Sequence, residues 1–335
     1  MTFAQQLPGV PGGIGLDVDG YAEFLAKDYL GDYIRAGGGA VRLVVTGDDE
    51  VAARWHRRLA AISDGEGYYY VPIDAARTRV HLLHEVFLAV SREIDWLAGA
   101  RAVVQGMYDE IGFPADDGAV DVAAVAARHK VDAHELRRSV RRGLESGILG
   151  DVALAFDFRV AMLRLCQSLT GGGDVHAEER DLVLAWLHGE PVSLARLRTL
   201  RIPGRIGRHN ARSLILSTAN WLVRSRGRGV VLDFDLARLA VARRPPVEVR
   251  DGVYYSKAAV LDAYETLRQL IDATDNLRCA LVAVAIPPEL VTDEARGLPS
   301  YSALHLRVAD EVRDRRRANP YAGLVRLEAR MEAVR

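Results

Sequence analysis

The apolar run AVRLVVTG, residues 40–47, leaves three consecutive glycines and enters a helical repeat within two residues. A short, nearly unbroken apolar run bounded by glycine reads as a strand buried on both faces. Residues 49–63 return apolar side chains at helical spacing, and residues 68–73 (YYYVPI) read as a second strand. Strand, turn, helix and strand in that order predict a right-handed βαβ unit, and with it a parallel sheet covered by helices.

The same logic extends in both directions. Residues 21–35 carry apolar positions at helical spacing and stop at Gly37-Gly38-Gly39, a helix-ending signal. Residues 80–150 read as mostly helical, with breaks near Gly112-Phe113-Pro114 and Asp116-Asp117-Gly118. Further helices are expected over 156–169, 178–187 and 210–224, the first two joined by Gly171-Gly172-Gly173. Residues 229–234 (GVVLDF) read as a buried strand running into acidic residues. A loop with Pro245-Pro246, a helix over 256–273, a strand over 280–286 and helices around 301–317 complete the pattern. A chain of 335 residues suits a main core with a helical appendage. The expected division is a first part of the α/β core at 1–110, a helical insertion at 111–200, and the rest of the core with C-terminal helices at 201–335.

Charge limits the partners. Lys and Arg total 44 against 45 Asp and Glu, so no global field draws the chain to nucleic acid or an anionic membrane. Cys166 and Cys279 lie in apolar runs without metal-ligand or redox spacing, which suggests a reduced, cytoplasmic interior. The N-terminus resembles neither a signal peptide nor a membrane anchor, and no run reaches the roughly 18 apolar residues that span a bilayer.

The turn after the first strand is where a P-loop would lie. Such a loop, G-x-x-x-x-G-K-[ST], wraps phosphates in backbone N–H groups, neutralises them with lysine and holds magnesium with a hydroxyl. Here the strand runs into Gly47-Asp48-Asp49-Glu50-Val51-Ala52-Ala53-Arg54. Only Gly47 fits; Ala52, Ala53 and Arg54 stand in place of the second glycine, the lysine and the hydroxyl residue. Each acid about 6 Å from a phosphate would cost roughly 2–3 kcal/mol at an effective dielectric near 20. Gly47 also reads as an ordinary strand-to-helix turn with an acidic first helical turn that suits the helix dipole. The second half of a nucleotide site is an apolar strand ending in Asp-Glu. VVLDFDL offers Asp233 and Asp235 but no glutamate in place.

Together these segments resemble the ATP-binding P-loop family of BREX-type phage-defence systems. The similar stretches are DYLGDYIRAGGGAVRLVV, YVPIDAARTRVHLLHEVFLAV, WLHGEPVSLARLRTLRIPGRIGRHNARSLI, GVVLDFD, ETLRQLIDATDNL and GLPSYSALHLRVADEVRDRRRANP, between about residues 29 and 327. The resemblance implies an α/β, AAA-like core with a mainly parallel sheet and helical insertions, ATP-dependent assembly as an oligomer, and a role beside DNA-acting defence proteins. It also implies that Arg268, Arg296 and Arg307 could reach a neighbour's phosphates; surface or interface ion pairs are their other reading. The departures from both motifs leave Gly47, Arg54, Asp233 and Asp235 as a vestigial nucleotide site.

Other groupings carry weaker signals. In VDVAAVAARHKVDAHELRRSVRRGLESG, residues 120–147, two helices flank a turn in a helix-turn-helix outline, with Arg137, Arg138, Arg141 and Arg142 on the second. A helical insertion in an ATPase lid has the same pattern. Arg201, Arg205, Arg208 and Arg212 could grip a phosphate backbone, although no aromatic residue is interleaved for base stacking. His81, His84 and Glu85 lack a further nearby ligand and suit helix packing. Residues 313–317 (RDRRR) suit a solvated helix face. G-x-S-x-G, H-E-x-x-H and Cys/His nucleophile patterns are absent.

The leading expectation is a non-hydrolysing pseudo-ATPase without catalytic residues, bound metal or cofactor, that serves as a scaffold or regulatory subunit beside an active ATPase homologue or another complex subunit. Its rivals are an ATPase with an atypical phosphate loop, using ATP and magnesium with Arg54 as the cation, and a DNA-binding regulator built on the helix-turn-helix-like segment.

Overall fold

A computed structural model of the chain describes residues 15–116, 119–171, 173, 175–249, 251–308 and 318–329. The described residues form two units, one built from those up to Val86 and from Arg228 onward, the other from Phe87–Gly227. The α/β unit opens with β1 (Leu16–Asp17), α1 (Val18–Phe24) and a π-helix (Leu25–Tyr33), then β2 (Gly39–Thr46), α2 (Asp49–Gly65) and β3 (Tyr69–Asp74). Helix α3 (Leu83–Glu93) crosses into the helical unit. There α4 (Trp96–Glu110), α5 (Val122–His129), α6 (Ala133–Leu149), α7 (Phe156–Leu169), α8 (Ala177–Leu187), α9 (Leu194–Thr199) and α10 (Ala211–Arg226) follow. The α/β unit resumes with β4 (Val230–Asp235), α11 (Lys257–Ile271), β5 (Ala280–Ile286), α12 (Glu289–Thr292), α13 (Ser302–Val308) and β6 (Leu324–Glu328).

The strands form one six-stranded sheet in the order β1-β6-β2-β5-β4-β3, and every pairing among the described residues is parallel. This is the α/β class the sequence predicts. Strands β2, β4 and β5 are buried almost throughout, as expected for parallel strands covered on both faces. One face packs on α1, the π-helix and α2: Ala40, Val44, Val231, Leu281 and Val325 meet Tyr21, Leu25, Trp55 and Leu59. The alternate residues Leu43, Val45, Val282, Val284 and Ile286 point the other way. Helix α11, which packs on β2, buries Val260, Tyr264, Leu267 and Leu270.

The structure differs from the sequence reading in places. Residues 21–35 are α-helical only to Phe24 and then widen to i→i−5 bonding, as in Ile34 N–H to Tyr29 O at 2.7 Å. The expected segment limits at 110 and 200 also move outward. Trp96 of α4 packs on Phe158 of α7 at 5.8 Å, and Phe158 on Trp221 of α10 at 6.4 Å, which ties α4 and α10 into the helical unit. The basic run at 313–317 lies outside the described residues.

Candidate functional site

Ligands of open parallel sheets sit beyond the carboxyl ends of the strands, where successive connections diverge. Here β2 leads through α2 to the far edge at β3, whereas β5, beside β2, leads back past it to β6. The turn from β2 to α2 is therefore the place to look, and it holds only Gly47 and Asp48. Asp48 is extended (φ −156°, ψ 177°), and its Oδ1 accepts the Val51 N–H at 2.8 Å. The anion position at the helix start is thus filled by the chain's own carboxylate. Gly47 adopts a backbone open to any residue, and a Cβ there would meet nothing within 4 Å. Arg54 does not face this turn. It forms an ion pair with Asp19 of α1, which Arg58 also reaches at 2.9 Å.

The acidic residues of β4 are arranged differently from one another. Period-2 alternation points Asp233 toward the α2 face with Val231, and it is only 2 % exposed. Its Oδ2 lies 2.6 Å from Nδ1 of His56 on α2 and accepts the Tyr70 O–H from β3 at 2.7 Å; Oδ1 is buried without a partner. Asp235 sits at the strand end, half-buried, with Oδ2 3.8 Å from His56 Nε2 and Oδ1 accepting the Ala237 N–H at 2.9 Å. Register places Asp74 of β3 beside Asp235. Burial lowers the His56 pKa, but the hydrogen bond to Asp233 and the charges of Asp233, Asp235 and Asp74 raise it, and the net direction is upward. Burial, then the Asp233 charge and hydrogen bond, raise the Tyr70 hydroxyl far above its ordinary value.

A triphosphate with magnesium needs a loop of free amides, a cation to neutralise it and a carboxylate open to the metal. The two-residue turn, Arg54 turned to Asp19, and Asp233 closed by His56 and Tyr70 do not fit that group. Sequence reasoning missed His56 and Tyr70. The signal was Asp233 itself: a carboxylate inside a buried strand needs a partner from elsewhere in the chain.

The arginines expected to reach a neighbour are engaged within the chain. Arg296 is 8 % exposed and donates to Leu239 O at 3.1 Å and Tyr255 O at 2.9 Å, so burial removes it from any interface. Arg268 pairs with Glu265 and Asp272, and Arg307 meets the same Asp272 at 2.6 Å. The Arg268 hydrogen bonds bring the Glu265 carboxyl down to about 2 against the burial that raises it. His81 packs edge-on to Tyr255 at 5.4 Å, and His84 Nε2 lies 3.9 Å from Glu85. Among the described residues no group of three His, Cys, Asp or Glu side chains could hold a metal ion. Cys166 and Cys279 are free, and burial pushes the Cys166 thiol up to about 12. No helix among the described residues is long and apolar enough to cross a membrane.

In the helical unit, α5 and α6 are joined by residues 130–132, with Lys130 left-handed at φ 55°. Helix α6 buries Leu136, Val140, Leu144 and Ile148 and exposes Arg138, Arg141 and Arg142, while Arg137 is half-buried. Arg205 donates to Val192 O at 2.8 Å and holds a turn; Arg201, Arg208 and Arg212 are exposed. Arg201, left-handed at φ 64°, closes α9 as Ile202 N–H bonds back to Leu197 O at 3.0 Å. It lines a cavity of about 240 Å³ together with Arg141, Glu145, Arg164 and Phe156, where Arg141 donates to Glu145 at 2.9 Å. The structure thereby joins two arginine groups that are separate in sequence and supplies from α7 the aromatic side chain the arginine stretch lacks. A sequence signal was available: between Glu190 and Asp233 there are nine arginines and no acid.

A family model described as BREX system ATP-binding protein BrxC/D matches residues 118–333, more than half of the chain. The match takes in β4, β5 and β6 but begins after the β2–α2 turn, so the first two similar stretches named from sequence lie outside it. No curated protein and no solved structure matches the chain.

Proposed function

Because the chain belongs to the BREX system ATP-binding protein BrxC/D family, we propose that it is a non-hydrolysing member, a pseudo-ATPase that acts as a scaffold or regulatory subunit in a larger complex. The observation that carries this reading is the two-residue turn, in which the Asp48 carboxylate takes the amide position a phosphate would use. An active ATPase homologue is the partner that best suits such a subunit, because a subunit of the same fold without turnover can shape an assembly that the homologue drives. Calorimetric titration of the protein with ATP and a non-hydrolysable analogue, with and without magnesium, tests it. No heat is expected up to millimolar ligand, whereas micromolar, magnesium-dependent binding would put the atypical-ATPase reading first.

A second reading has one observation in its favour, the meeting of Arg141, Arg164 and Arg201 beside Phe156. On it, the helical unit holds a nucleic-acid backbone by phosphate contacts and stacks a base on Phe156, which is 54 % exposed. The association constant for a labelled single-stranded oligonucleotide, read from anisotropy, should then fall with salt at a log–log slope of about −2, as roughly three phosphate contacts require. Neutralising Arg201 alone should reduce that slope by just under 1. A slope near zero would leave only the scaffold role.

A further inference from the structure

The amino edge of the sheet, opposite the Asp48 and Asp233 edge, holds a cavity of about 450 Å³ where β2 and β6 begin. We infer that this cavity binds a small planar aromatic carboxylate, held by Arg42 through the carboxylate and by Tyr33 and Tyr321 through the ring. The inference is independent of the state of the nucleotide edge.

Arg42 is the one residue of β2 that is not fully buried, and it stands in the middle of a strand otherwise covered on both faces. A charge at such a place is costly unless it is paired. Among the described residues no carboxylate pairs with it. Its guanidinium lies over the Tyr29 ring at 4.7 Å, donates to the Tyr29 hydroxyl and to Val41 O at 2.9 Å, and leaves Nε buried without an acceptor. Of the other charges on the wall, Arg307 is paired with Asp272, and Asp28 lines the cavity without an ion pair to Arg42 among the described residues.

The aromatic wall is built by the π-helix. The π-helix ends with Ile34 N–H bonded to Tyr29 O at 2.7 Å, and after it Gly38 N–H returns to Tyr33 O at 3.0 Å, which holds the Tyr29 and Tyr33 backbone on the cavity side. The Tyr29 and Tyr33 rings accordingly meet edge-on at 6.1 Å. The Tyr33 ring lies where a side chain at residue 38 would be, since a Cβ on Gly38 would come within 2.5 Å of it. Tyr33 and Tyr321 are 51 % and 59 % exposed and line the same cavity, an arrangement that offers ring faces to a ligand. Volume and lining suit a small ligand. A single planar guanidinium, without a cluster of amides, matches a planar carboxylate better than a phosphate dianion.

The test is calorimetry of the full chain with indole-3-acetate and 2-naphthoate, and with indole-3-ethanol as the neutral counterpart. The acids are expected to bind at ~0.1 mM or tighter, and Arg42→Gln to weaken them at least tenfold. Should Arg42→Gln fail to fold by circular dichroism, the exposed double variant Tyr33→Ala/Tyr321→Ala carries the test, with an expected loss of about tenfold. Equal binding of indole-3-ethanol, no binding of either acid at several millimolar, or unchanged affinity in the tyrosine variant would overturn the inference.

Discussion

Trp55→Ala is expected to lower the stability of the α/β unit by about 3–5 kcal/mol, a large part of the few kcal/mol that hold a typical domain folded. Trp55 is fully buried and stacks on Tyr21 at 5.7 Å, so it is the side chain through which α2 and α1 share one face of the sheet. Its loss leaves a cavity between α2 and the core residues it packs on, Tyr21 among them. Trp55→Phe should cost much less, about 1–2 kcal/mol. It keeps a ring against Tyr21 and removes an indole N–H that is buried without an acceptor. Urea denaturation followed by far-ultraviolet circular dichroism measures both. A loss under 1 kcal/mol for Trp55→Ala would mean that α2 is not packed as described.

What could be read from sequence follows from the range over which each signal acts. Strands β2, β4 and β5 announce themselves because burial on both faces makes them continuous apolar runs, and α2 and α11 because one apolar stripe recurs within a dozen residues. Strand β6 escaped notice. Its five residues, LVRLE, are few and only partly apolar, and pairing with β2 and β1 gives them a place in the sheet. Gly39 shows the same limit: a triple glycine signals a helix end, yet its need arises because a Cβ there would lie 2.1 Å from Leu277 O. The partner of Asp233 was hidden for the same reason. His56 precedes it by 177 residues, and only the return of β4 beside β3, under α2, brings them together. The departure of the β2–α2 turn from a phosphate-loop pattern was legible because it concerns consecutive residues. The closure of Asp233 was not, because it depends on three separate elements.

That closure makes His56→Ala the most informative change at the carboxyl edge. Removing one member of a buried pair leaves the other uncompensated, and the expected cost is about 3–5 kcal/mol near pH 6. Asp233 is fully buried at its side chain and would retain only the Tyr70 hydroxyl. Adding Asp233→Asn to His56→Ala should recover most of the loss, since a neutral amide can remain beside Tyr70 without a counter-charge. The pH dependence has a definite sign. His56 is raised in the folded protein above its ordinary value of 6.5. Its charged pairing therefore contributes in full below about pH 6.5 and is lost as pH rises through the folded value. The deficit of His56→Ala should accordingly shrink with rising pH, by about 1.4 kcal/mol for each unit by which the folded value is raised. Denaturation midpoints of the wild type and both variants from pH 5 to pH 9 decide the matter. A deficit that does not change with pH would mean that His56 holds Asp233 as a neutral hydrogen-bond partner throughout, and a double variant no better than His56→Ala would mean that packing, not charge, governs this edge.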